Sequence, residues 1–160
     1  MNPSFTPEHL RVFRSAYLFK TLNPEELSFF LDTASLVRIS SNGLIIREND
    51  PGEQLFLILS GKVRVTKHAF ENIEQILGIL KPGDFFGEMV LLDRKKRSAS
   101  VFAHTDVELA GFRYSDVSRI MNEYPRVGMA VLKAFSEVIS LRLRDADDKL
   151  RALTFIEKTF

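Results

Sequence analysis

Two side chains in the stretch "FFGEMVLLDRKKRSASV", Phe85 to Val101, are of types and at a spacing that can do recognition chemistry. Glu88 follows a glycine, Gly87, and Arg97 comes nine residues later with Ser98 beside it. An ionised carboxylate only accepts hydrogen bonds, so Glu88 repels a phosphate and suits a sugar hydroxyl. A guanidinium fork is matched to phosphate oxygens, and the Ser98 hydroxyl adds a donor. Gly87 permits a backbone conformation or a close approach that a Cβ would block. The residues after it, with Met89 and Val90 first, are expected to start one helical turn whose leading N–H groups attract an anion. The set fits a ligand that carries both a sugar hydroxyl and a phosphate. Two plainer readings stay open: Glu88 and Arg97 as a partly buried salt bridge, and Arg94 to Arg97 as a solvated basic loop. "RKKRSAS" also matches what basophilic kinases phosphorylate. Such matches are frequent by chance, and the segment is expected to be structured, so that reading is set aside at the level of sequence.

Other chemistries find little support. There is no cysteine, which removes disulfides, cysteine nucleophiles and zinc–cysteine sites. His9, His68 and His104 are far apart and show no ligand or triad spacing, so neither a metal site nor an enzyme is expected. The 22 Lys and Arg against 21 Asp and Glu lack the basic excess of a dedicated nucleic-acid binder. The N-terminus has no signal-peptide pattern, and no apolar run approaches the ~18 residues of a membrane span. A cytoplasmic protein is expected.

The elements that must hold the pair can be read from local grammar. Thr6-Pro7-Glu8 and Asn23-Pro24-Glu25-Glu26 each read as an N-cap, a proline at N1 and first-turn acid, giving N-terminal helices within residues 1–35. Leu27, Phe29, Phe30 and Leu31 form the apolar side of the second. From 36 to 113, segments such as "LVRIS", "LFLILS", "KVRVTKH", "IEQILGIL" and "VELAGF" alternate with turns at Asn42-Gly43, Pro51-Gly52, Ser60-Gly61 and Pro82-Gly83. Many short strands with glycine turns predict an antiparallel sandwich or jelly roll. Helix grammar returns over 115–160, at Ser115-Asp116 and Tyr124-Pro125. There Leu132, Phe135, Ile139, Leu143, Ala146, Leu150 and Leu153 recur every three or four residues. Part of that stripe is expected to pack on the sandwich and the rest to seam against a second copy, so a homodimer is favoured over a helix lying along its own domain.

The stretch 85–101 resembles the phosphate-binding cassette of the cyclic-nucleotide-binding domains found in catabolite-activator regulators, kinase regulatory subunits and nucleotide-gated channels. Phe86-Gly87-Glu88-Met89-Val90-Leu91 and Arg97-Ser98-Ala99-Ser100-Val101 fill its pattern, and "IIRENDPGEQLFLILSGKVRV" fills the upstream signature. The resemblance implies a mainly β fold: one antiparallel jelly roll with N-terminal helices and a long C-terminal helix, a single domain over 1–160. It implies cAMP or cGMP as ligand and no further cofactor. Glu88 would accept from the ribose 2′-hydroxyl. Arg97 would pair with the cyclic phosphate, helped by Ser98 and the amides around Met89 and Val90. Leu77 and Val65 would line the apolar side, and Arg142 is the candidate on the C-terminal helix for capping the base. Two departures stand out. Val90 occupies a position where the family prefers a small residue, and Asn49 replaces a common glycine, a near-neutral change because Asn tolerates left-handed geometry. The expected role is a signal-transducing sensor acting through a partner protein. The alternatives are a degenerate fold serving as a dimerisation or docking module, and a sensor of a cyclic dinucleotide drawn by Arg94, Lys95 and Lys96. DNA binding is not expected, since relatives that bind DNA carry a helix-turn-helix after the long helix and this sequence stops at Phe160. Channel function is not expected either, since no run of this sequence reads as a membrane segment.

Overall fold

In the computed structural model, residues 5–68 and 74–157 are described, with side chains to 152. Helices α1 (Pro7–Ser15) and α2 (Pro24–Thr33) come first. Eight strands follow: β1 (Ser35–Ile39), β2 (Leu44–Ile46), β3 (Gln54–Ser60), β4 (Val63–His68), β5 (Glu74–Leu80), β6 (Phe85–Phe86), β7 (Ser100–Ala103) and β8 (Val107–Arg113). The one-turn helix α3 (Met89–Asp93) sits between β6 and β7, and α4 (Tyr114–Glu123) and α5 (Pro125–Glu157) close the chain. Ile73 and Leu153, used in the sequence reading, fall outside the described side chains.

Both helix starts form as their residues dictate. Thr6 and Asn23 are extended N-caps whose side chains accept from the amides of His9 and Glu26, and each forms a full capping box. The box on α1 uses His9, whose Nδ1 accepts from the Thr6 amide while Nε2 lies 2.9 Å from Glu108. His9 is thus structural and buried rather than a ligand.

The strands form two antiparallel four-stranded sheets, ordered β1-β8-β3-β6 and β2-β7-β4-β5. The run "LFLIL" on β3 is buried on both faces. Leu55, Leu57 and Leu59 point to the helices, and Phe56 and Ile58 point between the sheets. One core joins the first sheet to α1, α2, α4 and α5 through Phe13, Phe19, Phe30, Phe112 and Phe135. The other lies between the sheets around Ile58, Val63, Ala103 and Leu109. The expected jelly roll with flanking helices is therefore what the chain forms.

The C-terminal stripe divides more sharply than its spacing predicts. Of its residues Phe135 is buried, together with Val127, Val131 and Ala134 beside it, whereas Leu132, Leu143 and Leu150 are 40–63% exposed. Phe135 belongs to the domain's own core and is the member of the stripe that packs on the sandwich side. No helix among the described residues is long and apolar enough to cross a membrane.

Candidate functional site

The site is built on the edge strand β6. Lys81 to Asp84 turn the chain, with Gly83 at φ 90° and the Asp84 carboxylate accepting from the Lys81 amide at 2.9 Å. Phe85 and Phe86 then drive one ring into each core. The chain reverses at Gly87, φ 85°, a left-handed conformation that favours glycine. Glu88 follows as the N-cap residue of α3, and Arg94 ends that turn in left-handed geometry, its amide bonded to the Val90 carbonyl at 2.9 Å.

Glu88 is 2% exposed. Its Oε1 accepts from Arg142 Nη1 of α5 at 2.8 Å, and Arg142 Nη2 donates to the Phe85 carbonyl. Burial pushes the Glu88 pKa above its usual value, while Arg142, its own backbone amide and Arg97 pull against that rise. Arg142 was expected over a ligand's base; instead it grips the acid and the strand before it.

Arg97 is also buried, and its partners are mostly main chain. Nη1 donates to the Gly87 carbonyl at 3.1 Å and to the Tyr114 hydroxyl at 2.7 Å, and Nη2 donates to the Gln54 carbonyl at 2.7 Å. The Tyr114 hydroxyl donates in turn to the Gly87 carbonyl. Burial pushes the Tyr114 pKa up to about 12, so it stays a donor. Glycines admit the guanidinium: a Cβ at Gly52 would sit 2.5 Å from Arg97 Nε, and one at Gly87 2.7 Å from Nη1. The Arg97 backbone is pinned to the 49–50 turn by two 2.9 Å bonds, Asn49 amide to Arg97 carbonyl and Arg97 amide to Asp50 carbonyl. Asn49 adopts φ 67°, as expected of an asparagine replacing glycine. Glu88 and Arg97 therefore lie on the two sides of Gly87 but do not form a salt bridge with each other. A cavity of about 750 Å³ borders Arg97, with Gln54, Phe56, Arg113 and Ser115 also in its wall.

The remaining expected residues are placed less uniformly. Ser98 is exposed, and its Oγ donates to the Met89 sulfur at 3.4 Å. Met89 is 45% exposed. Val90 is half-buried and belongs to neither core. Val65 packs on the inter-sheet core opposite Val101 and Gly78. Leu77 sits at a β-bulge, 42% exposed, and its carbonyl accepts from Lys149 Nζ of α5 at 2.9 Å. Tyr114 and Gln54 were missed by sequence reasoning, and Gly52 was read as part of a turn and of the upstream signature but not as room for Arg97. Gln54 acts through its carbonyl, Gly52 through the Cβ it lacks, and Tyr114 carries no signal beyond an aromatic ring after a strand.

Comparison with known proteins places the sequence and the fold in a family. The cyclic nucleotide-binding domain family matches residues 36–124. A relative from Thermus thermophilus, called cyclic AMP receptor protein, is 35% identical over 88% of this chain and 63% of its own length. A cAMP-dependent protein kinase regulatory subunit from Emericella nidulans is 34% identical over 65% of this chain and 24% of its own. The chain thus spans only part of these relatives. A crystal structure of a cyclic nucleotide-binding domain from Methylobacillus flagellatus superposes with a TM-score of 0.78 at 26% identity, covering 89% of this chain and 80% of that one. The glycine-opened turn, the buried acid and the anchored arginine thus sit in a matching sequence frame and a matching fold, and the chain belongs to the cyclic nucleotide-binding domain family.

Proposed function

We propose that the chain is a cyclic-nucleotide sensor that binds one cAMP or cGMP and passes occupancy to a partner protein through α5. The observation that carries this reading is the pairing of Glu88 with Arg142. It ties the acid suited to a ribose hydroxyl directly to the long C-terminal helix. Arg97 supplies the phosphate end. Three of its five donors are held by Gly87, Gln54 and Tyr114, which fixes the fork while Nε–H and one Nη2–H have no acceptor among the described residues. Ser98 and the amides of Met89 and Val90 complete that end. Val65 and Leu77 form the apolar side. The names of the Thermus relative and of the kinase subunit favour cAMP. A cytoplasmic homodimer fits the exposed Met129, Leu132 and Leu143 on one side of α5.

A degenerate site is the second reading, and Val90 is what favours it. An isopropyl group stands half-buried in the turn where the family prefers a small side chain. A thermal-shift screen separates the two, because a ligand that binds the native state alone raises the melting temperature. The sensor predicts a rise of several degrees with cAMP or cGMP in the wild-type chain, and less with cyclic di-GMP. The degenerate reading predicts no rise in the wild type and a rise only after Val90→Ala.

A further inference from the structure

The basic run "RKKRSAS" is the motif that the nucleotide reading leaves partly unused. Its kinase-site reading was set aside on the expectation that the segment is structured; the structure pins the segment at Arg97 yet leaves the residues that such a kinase reads on the surface. Residues 94–99 form neither helix nor strand. Arg94, Lys95 and Lys96 are all exposed, at positions −4, −3 and −2 from Ser98, while Arg97 alone turns inward. Ser98 is exposed as well, and its hydroxyl donates to a sulfur, a weak acceptor that is given up at little cost. Ser100 provides an internal contrast. It is 4% exposed on β7, with Oγ held by the Glu48 amide at 2.9 Å.

We propose that Ser98 is a phosphorylation site for a basophilic serine/threonine kinase, and that its phosphate and the nucleotide exclude each other from the cassette. In the transfer, Ser98 Oγ attacks the γ-phosphorus of Mg-ATP. The bond to the β–γ bridging oxygen breaks, ADP leaves, and the hydroxyl proton passes to the kinase's base. The product carries roughly −1.5 to −2 charges next to the Arg97 backbone. A second phosphate then meets like charge where it would meet a hydroxyl donor. Conversely, a nucleotide seated against Arg97 and Ser98 covers the hydroxyl that the kinase must reach. The modification itself needs only the exposed loop; the mutual exclusion rests on the sensor reading.

The test treats the full chain with Mg-ATP and the isolated catalytic subunit of a cAMP-dependent kinase, and maps phosphate by mass spectrometry. One phosphate is expected on Ser98. It is lost in Ser98→Ala, retained in Ser100→Ala, and formed about tenfold more slowly in the Lys95→Gln/Lys96→Gln double variant, which removes two exposed charges. Absence of phosphate on Ser98 in the folded chain, while a peptide of residues 92–102 is phosphorylated, overturns the site. Saturating cAMP is expected to slow the transfer at least about tenfold, and the phosphorylated chain to bind cAMP about tenfold more weakly or worse. If calorimetry shows cAMP bound and the rate on Ser98 is unchanged, the exclusion is overturned. If calorimetry shows no nucleotide bound at all, the sensor reading fails, whereas phosphate on Ser98 still upholds the modification site.

Discussion

Arg97 owes its position to small, specific neighbours. Two glycines leave room for its guanidinium, two carbonyls accept from it, and the Tyr114 hydroxyl bridges Nη1 to Gly87. Tyr114→Phe removes that bridge and leaves the ring. It is expected to cost about 0.5–1.5 kcal/mol in urea unfolding, the usual net worth of one such bond. By loosening the fork it should also weaken nucleotide binding about three- to tenfold, roughly 0.7–1.4 kcal/mol. Unchanged stability and affinity would show that the bridge is idle. At this scale the sequence was partly legible. Gly87, Glu88 and Arg97 declare themselves because acid, base and glycine are rare at that spacing. Gln54 does not, because it takes part through its carbonyl, which every residue has. Arg142 was legible as a residue of interest but not in its role, since nothing local says which carboxylate a helix will meet 54 residues away.

Helix α5 is the element that joins the site to the rest of the chain. At about 1.5 Å per residue its 33 residues extend roughly 50 Å. Its first half is anchored by Val127, Val131 and Phe135, and its second half is held by Arg142 on Glu88 and Phe85 and by Lys149 on Leu77. The Arg142 contact has a definite pH signature. The Glu88 pKa is raised above its unfolded value near 4.5, so the stability this group contributes is full below that value and is lost as pH climbs through the folded pKa. Arg142→Gln removes the strongest charge opposing that rise and lifts the folded pKa further. The variant should therefore lose more stability relative to wild type at pH 8 than at pH 5, with a penalty at pH 8 of about 1–3 kcal/mol for an unpaired buried acid beside a part-exposed arginine. Urea melts at the two pH values check this, and equal penalties would mean that the pair does not control Glu88. Part of the stripe on α5 packs on its own domain through Phe135, as its spacing led us to expect. Which of its residues face the domain was not legible, because spacing alone cannot tell a core-facing position from its neighbour 100° around the helix.

Across the whole molecule, two cores meet along β3, and β6 plugs into both through Phe85 and Phe86. The cassette turn therefore starts from a strand anchored in both cores, and its acid is tied to the longest helix. The fold was legible because glycine turns, strand alternation and two proline-led helix starts all agreed. The state of the site was not, because it depends on contacts between residues far apart in sequence. The central claim is that this anchored arginine and helix-bound acid form a working nucleotide clamp. Isothermal titration calorimetry with cAMP and cGMP, on the wild type and on Arg97→Ala, tests it most directly. The account predicts saturable binding of about one nucleotide per chain for the wild type, reduced at least about a hundredfold in the variant by loss of the phosphate partner. No heat with either nucleotide at high protein concentration, or equal binding by both chains, would contradict it.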